Sequence, residues 1–160
     1  MEVRLVLAYD RQHEVSQLFT EYTDMILKQG EDVKRCLEAQ NYSNEVLDFE
    51  EKYGFPNGRL YLAYLGEDAV GCIALKKTDD VYCEIKRLYV KPGYRGKHVG
   101  KILIDQVIND AKLIGYKHMR LDTFPFMDSA VQLYRRYGFY DIERYNDNPA
   151  LTALYMQLDL

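Results

Sequence analysis

Three strand-like runs, Arg59–Leu65, Ala69–Lys77 and Val81–Val90, follow one another with only Gly66-Glu67-Asp68 and Thr78-Asp79-Asp80 between them. Connections that short cannot carry a chain across a sheet, so the runs must be antiparallel neighbours. This meander fixes the middle of the fold. Upstream, residues 3–9 read as a first strand, and Val15, Leu18, Phe19, Tyr22, Met25 and Ile26 recur at helical spacing before a stop at Gly30. A less regular second helix covers parts of 32–53, and Gly54–Gly58 is a turn cluster.

Downstream of the meander, Val99, Leu103, Val107, Ala111 and Ile114, joined by Ile102, form the apolar stripe of a long helix that Gly115 ends. Lys117–Phe124 alternates as a strand, with Met119, Leu121 and Thr123 on one side and Arg120 and Asp122 on the other. Asp128 or Ser129 is placed to cap a short helix running to Gly138, and Phe139–Tyr145 and Thr152–Leu160 are the last two strands. A long helix between two strands requires one parallel crossover pair. The expected fold class is therefore α/β (α+β): a mixed, mostly antiparallel sheet of about seven strands with about four helices, in a single domain spanning 1–160.

The chain is acidic overall, at -4, but unevenly so. Residues 1–80 carry nine Lys/Arg against sixteen Asp/Glu, whereas 81–160 carry twelve against nine. That balance argues against a nucleic-acid partner. Cys36, Cys72 and Cys83 are odd in number and lack C-x-x-C spacing, which speaks against a disulfide framework or a zinc site and for a reducing cytoplasm. No signal-peptide layout and no apolar run of membrane-spanning length is visible, so no membrane association is expected.

Against this acidic background, Ile85–Lys101 holds six basic side chains and no acidic one. The segment reads as the end of a strand, the turn Lys91-Pro92-Gly93-Tyr94, and then Arg95-Gly96-Lys97-His98-Val99-Gly100 opening the long helix. A glycine-containing turn that feeds a helix N-terminus presents free N–H groups and the positive end of the macrodipole. Such a turn suits a phosphate or pyrophosphate.

With this order of elements, three stretches resemble the GCN5-related N-acetyltransferase (GNAT) family. Glu84-Ile85-Lys86-Arg87-Leu88-Tyr89-Val90 looks like its fourth strand, Arg95–Gly100 its R/Q-x-x-G-x-G/A pyrophosphate loop, and Ala130–Phe139 its A-x-x-L-Y-x-x-x-G-F helix and strand start. The likeness spans roughly 59–160. His98 stands where the loop's first glycine is usual, and Met127 where an asparagine often precedes the late helix; the loop is expected to tolerate His98.

The resemblance implies an acetyl-CoA-dependent N-acetyltransferase acting on a primary amine of a small molecule or peptide by direct attack in a ternary complex, without a metal. It implies coenzyme A binding by Leu88, Tyr89, Val90, Arg95, Gly96, Lys97, His98, Val99, Gly100 and Lys101, with the backbone of Leu88 and Val90 pairing to the pantetheine arm and a bulge freeing an N–H for the thioester oxygen. Glu84 is the candidate general base, with pairing to Lys86 or Arg87 as its alternative. Tyr134 is the candidate acid for the leaving thiolate, with core packing as its alternative. Asp122, mid-strand where two central strands would splay, and Asn146, in the polar loop Tyr145–Pro149, are candidate acceptor contacts. Cys83 should face away from Glu84 into packing, which disfavours an acyl-cysteine route.

Two rivals remain at this stage. A nucleotide-binding protein is disfavoured because neither G-x-x-x-x-G-K-[S/T] nor G-x-G-x-x-G occurs. A non-catalytic acyl-CoA-binding module of the same fold is disfavoured by the presence of both Glu84 and Tyr134. The acidic first half hints at a cationic amine, although Lys34, Arg35 and Lys52 would permit a zwitterion. Lookalikes commonly dimerise through the final strands, and the residues leave a homodimer open.

Overall fold

The structure, a computed structural model, describes residues 2–39 and 48–160. Seven strands form one sheet in the order β1-β2-β3-β4-β5-β7-β6. They are β1 (Val3–Leu7), β2 (Arg59–Leu65), β3 (Asp68–Lys77), β4 (Tyr82–Val90), β5 (His118–Thr123), β6 (Tyr140–Asp141) and β7 (Leu154–Asp159). Every neighbouring pair is antiparallel except β4 with β5, which run parallel. Among the described residues the helices are α1 (Gln12–Leu27), α2 (Glu31–Ala39), α3 (Phe49–Tyr53), α4 (Val99–Ile114) and α5 (Asp128–Arg136), with a 3-10 turn at Pro92–Tyr94.

Alternation along the meander sorts its side chains between two cores. Leu60, Leu62 and Tyr64 of β2 and Cys72 and Ala74 of β3 face α1 and α3, where Val15, Leu18, Phe19, Phe49 and Tyr53 cover them. Tyr61, Ala63 and Leu65, with Ile73 and Leu75, face the other way, onto Val99, Leu103, Val107 and Ala111 of α4. Both faces of the sheet are thus buried, which explains why β2 reads as a nearly continuous apolar run. Ile104, not Ile102, completes the buried stripe of α4.

The meander, the crossover helix and the parallel pair stand where the sequence puts them. Of the second helix expected over parts of 32–53, the described residues hold α2 and α3, and residues 40–47 lie outside them. Two local expectations differ. The N-cap of α5 is Met127, which makes no side-chain cap bond, and Asp128 lies inside the helix. The strand expected over 139–145 is only β6. After Asp141 the chain leaves the sheet because Arg144 donates to the carbonyls of Asn148 and Ala150, curling the segment into a loop that reaches back to the central strands. Among the described residues, no helix is long and apolar enough to cross a membrane.

Candidate active site

The parallel pair β4–β5 is short. Tyr82, Cys83 and Glu84 register with His118, Met119 and Arg120, and no pairing continues beyond them. From that point the two strands diverge, leaving a wedge on the β5 side of β4. On the opposite side β4 stays paired to β3, but the register steps from Ala74↔Lys86 to Cys72↔Tyr89, so Arg87 and Leu88 together oppose Ile73. Arg87 sits in the left-handed region at φ 59°. The extra residue reverses the alternation: Ile85 packs toward α4, and after the bulge Leu88 and Val90 do so while Tyr89 packs toward α1.

A small cavity of about 40 Å³ opens in the wedge. Lys86, Arg87, Asp122, Tyr22, Cys36 and Tyr134 are among the residues on its wall. Lys86 and Arg87 are 8% and 6% exposed, so both charges are held out of water and need compensation. Lys86 Nζ lies 3.3 Å from Glu84 Oε2 and 3.7 Å from Asp122 Oδ1. Burial opposes its charge, but Asp122 and then Glu84 outweigh it, and its pKa rises above the ordinary lysine value. For Asp122, burial pushes the pKa up, while Lys86 and the side-chain amides of Asn146 and Asn148 pull it down further, and the net shift is downward. Those amides donate to Oδ2 at 2.9 and 3.3 Å.

Glu84 is turned away from the cavity. Its carboxylate accepts from the Tyr145 hydroxyl at 2.9 Å and from Thr78 Oγ1 at 3.3 Å besides facing Lys86. Next to it, the Arg120 guanidinium lies between the rings of Tyr82 and Tyr145, 4.0 and 4.2 Å from their centroids. Tyr134 is buried, with its ring against Phe139 at 5.5 Å, and burial pushes its phenol well above the ordinary tyrosine value. Cys83 packs into the α4-side core, and burial raises its thiol to about 12, which leaves it inert.

A second, larger cleft of about 580 Å³ adjoins the cavity, and Leu88 and Met127 line both. Its volume is that of a site for an extended organic ligand. Leu88, Tyr89, Val90, Arg95, Gly96, His98, Val99, Gly100 and Lys101 lie on its wall, and of the predicted donor contacts only Lys97 does not. The loop is built for close backbone approach: Gly96 has φ +82° with open space where a Cβ would sit. The first turn of α4 carries no acidic side chain to compete with an anion. His98 adopts φ 63°, the left-handed conformation a glycine takes without cost, so the position asks for glycine on backbone grounds.

Of the predicted acceptor-side residues, Asp122 and Tyr134 share the small cavity, Asn146 stands behind Asp122, and Glu84 stands behind Lys86. Lys34 and Arg35 are exposed and, with Lys52, lie off the cavity wall. Sequence reasoning missed Lys86 and Arg87 as cavity residues, together with Tyr22, Cys36 and Asn148. For Lys86 a signal existed, because two-residue spacing sets it on the same face as Glu84. For Arg87 none did, since its place depends on the bulge. Among the described residues, no group of three or more His, Cys, Asp or Glu is placed to hold a metal ion.

Residues 25–139 match the profile of the acetyltransferase (GNAT) family. An N-acetyltransferase of Schizosaccharomyces pombe is 36% identical, over 78% of this chain and 77% of its own. Another, from Dictyostelium discoideum, is 28% identical over 93% of this chain and 94% of its own. Among solved structures, the PaiA N-acetyltransferase of Thermoplasma acidophilum in complex with coenzyme A superposes with a TM-score of 0.77 at 19% identity, over 100% of both chains. A GNAT acetyltransferase of Elizabethkingia anophelis with acetyl-CoA bound gives a TM-score of 0.56 at 24% identity, over 65% of this chain and 77% of its own. At those identities the structural likeness speaks to the fold.

Proposed function

The chain belongs to the GNAT acetyltransferase family, and from that premise we propose that it transfers the acetyl group of acetyl-CoA to the primary amine of a small molecule by direct attack in a ternary complex. The observation that carries this reading is the meeting of two cavities of different size and character at Leu88 and Met127. The larger fits a long donor with an anionic end. The smaller fits the reacting end of an acceptor. Direct transfer needs both to reach one point at once.

Bound acetyl-CoA supplies the acyl group as an activated thioester. Around it, Arg95–Gly100 and the N-terminus of α4 hold the pyrophosphate, and the backbone of Leu88 to Val90 lies along the pantetheine arm on the side where β4 has parted from β5. The bulge at Arg87 and Leu88 supplies a backbone donor for the thioester oxygen. Asp122, ionised by its surroundings, draws the acceptor's ammonium into the cavity. A carboxylate whose pKa is lowered is a weak base, so Asp122 holds the ammonium without taking its proton, which leaves to solvent water before the neutral amine attacks. Glu84 acts through Lys86, holding that ammonium in place, and takes no proton itself. Tyr134 donates a hydrogen bond to the departing sulfur, and because burial keeps the phenol protonated the donor is present throughout the working pH range.

Thermal melting with acetyl-CoA, ATP and NAD in parallel, followed by thiol release with a panel of amines, tests the proposal. Stabilisation by acetyl-CoA and amine-dependent thiol release are expected. Stabilisation without release from any amine would favour a non-catalytic acyl-CoA-binding module, and a response to ATP or NAD alone would refute both.

A further inference from the structure

Resting on that function, we infer that Met127 sets the length of the acyl chain that can be transferred. The small cavity admits an acetyl group and excludes propionyl and longer chains, because the acyl chain and the reacting end of the acceptor draw on the same confined volume.

Among the described residues, Leu88 and Met127 are the two that stand on the walls of both cavities. A thioester lying in the larger cleft with its carbonyl carbon at that meeting point places its acyl methyl just inside the smaller one. In the transfer step the amine nitrogen bonds to the carbonyl carbon, the C–S bond breaks with its electron pair on sulfur, and the net proton passes from nitrogen to the departing thiol. The methyl takes no part in this and only has to fit. The cavity is two-sided. Lys86, Arg87, Asp122 and Asn148 make one part of its wall polar, whereas Ile26, Leu37, Phe124 and Met127 pack together and make another part apolar. The amine belongs on the first side and the methyl on the second.

Of the two shared residues, Leu88 packs against the α4-side core, so Met127 is the one that closes the small cavity toward the donor. Behind it Ile26, Leu37 and Phe124 are buried, and a close-packed wall of this kind does not withdraw to make room. Phe126 stacks on Phe124 at 5.2 Å and 6°, which carries the partition on into the larger cleft. Met127 also stands at the N-cap of α5 without making a cap bond, where Asn, Asp or Ser would satisfy the first N–H groups of the helix. The helix forgoes its cap, and the side chain is given to the cavity wall. The volume of about 40 Å³ corresponds to about three water-sized positions. An acetyl methyl and an amine nitrogen with the carbon that bears it fill them, and each further methylene on the acyl chain takes room from the acceptor.

The test is thiol release from acetyl-, propionyl- and butyryl-CoA with a fixed panel of amines: ethanolamine, putrescine, spermidine and the L-α-amino acids. Calorimetry should show the three thioesters binding alike, since the arm and nucleotide lie in the larger cleft. Propionyl-CoA should nevertheless support a kcat/KM at least about tenfold lower than acetyl-CoA, and the KM of the amine should be higher with it. In Met127→Ala, with melting measured alongside, the propionyl-to-acetyl ratio should rise at least about tenfold, and Met127→Leu, of similar volume, should keep the wild-type ratio. Wild-type turnover of propionyl-CoA equal to or faster than that of acetyl-CoA overturns this inference and leaves acetyl transfer intact; so does a ratio that a folded Met127→Ala leaves unmoved. If that variant folds poorly, the wild-type amine KM decides, and a KM indifferent to acyl length overturns the shared volume. No release with any donor and amine, acetyl-CoA being bound, overturns both.

Discussion

Tyr134 and Asp122 face the same cavity, and the tasks proposed for them should separate on substitution. If Tyr134 serves the leaving sulfur as proposed, Tyr134→Phe removes that hydrogen bond and little packing, so kcat should fall by about 10²-fold while acetyl-CoA affinity, measured by calorimetry, holds. Asp122→Asn should raise KM for the acceptor and also destabilise the fold by about 2–3 kcal/mol near neutral pH, because Lys86 keeps only Glu84. The sign of the pH dependence follows from the lowered pKa: the unfolded chain binds a proton at this site more readily than the native one, so the contribution is fully present above the ordinary value of 3.8 and is lost as pH falls through the lower native value. Urea melts of wild type and Asp122→Asn at several acidities should therefore converge only below that ordinary value. Glu84→Gln should lower stability by about 3 kcal/mol and leave the acidic limb of the pH–rate profile in place; a flattened limb would return the role of base to Glu84. Tyr134 and Asp122 were legible in the sequence because a motif and strand alternation point to them. Arg87 was not, because its place depends on the bulge, and the spacing that sets Lys86 beside Glu84 was masked by a basic run that reads as solvated surface until the strand carrying it is shown to be central.

At the level of elements, the loop Arg95–Gly100 shows a conflict between residue and backbone. His98 holds a left-handed conformation just before α4, and His98→Gly should relieve about 1 kcal/mol of strain, part of which the more flexible unfolded chain takes back. A small rise in Tm with tighter acetyl-CoA binding is the expected outcome; weaker binding would mean that the imidazole itself contacts the donor. The meander, α1 and α4 could be read from period and punctuation, since short turns and an unbroken apolar stripe leave few alternatives. The segment after Asp141 could not. Its composition of Tyr, Asn, Asp and Pro is that of an ordinary turn, and only the folded chain shows Tyr145 bonded to Glu84 and Asn146 and Asn148 bonded to Asp122. What binds that loop is charge buried elsewhere, which local pattern does not record.

Across the whole molecule, the sheet is continuous from β1 to β6, yet only three rungs join β4 to β5. A ligand that fills the wedge beside β4 adds contacts across that short central junction and stabilises both sides together. Acetyl-CoA at a hundred times its dissociation constant should raise stability by about 2.7 kcal/mol, or about 5–10 °C in Tm for a chain of this size. The same shift with a thioester lacking the nucleotide end would show that the arm alone bridges the strands.

The bulge at Arg87 has a consequence that depends on counting residues and not on their chemistry. Excising Arg87 would let the ladder with β3 run uninterrupted in its present register, with Tyr89 still opposite Cys72 and Val90 still opposite Gly71. Leu88, Tyr89 and Val90 would therefore keep the faces they occupy now, and only the kink and the side chain it sets on the small cavity would be lost. A chain shortened by that single unit would keep its sheet and both cores without the irregular rung between its two cavities, so a well-folded product without activity is the signature to look for.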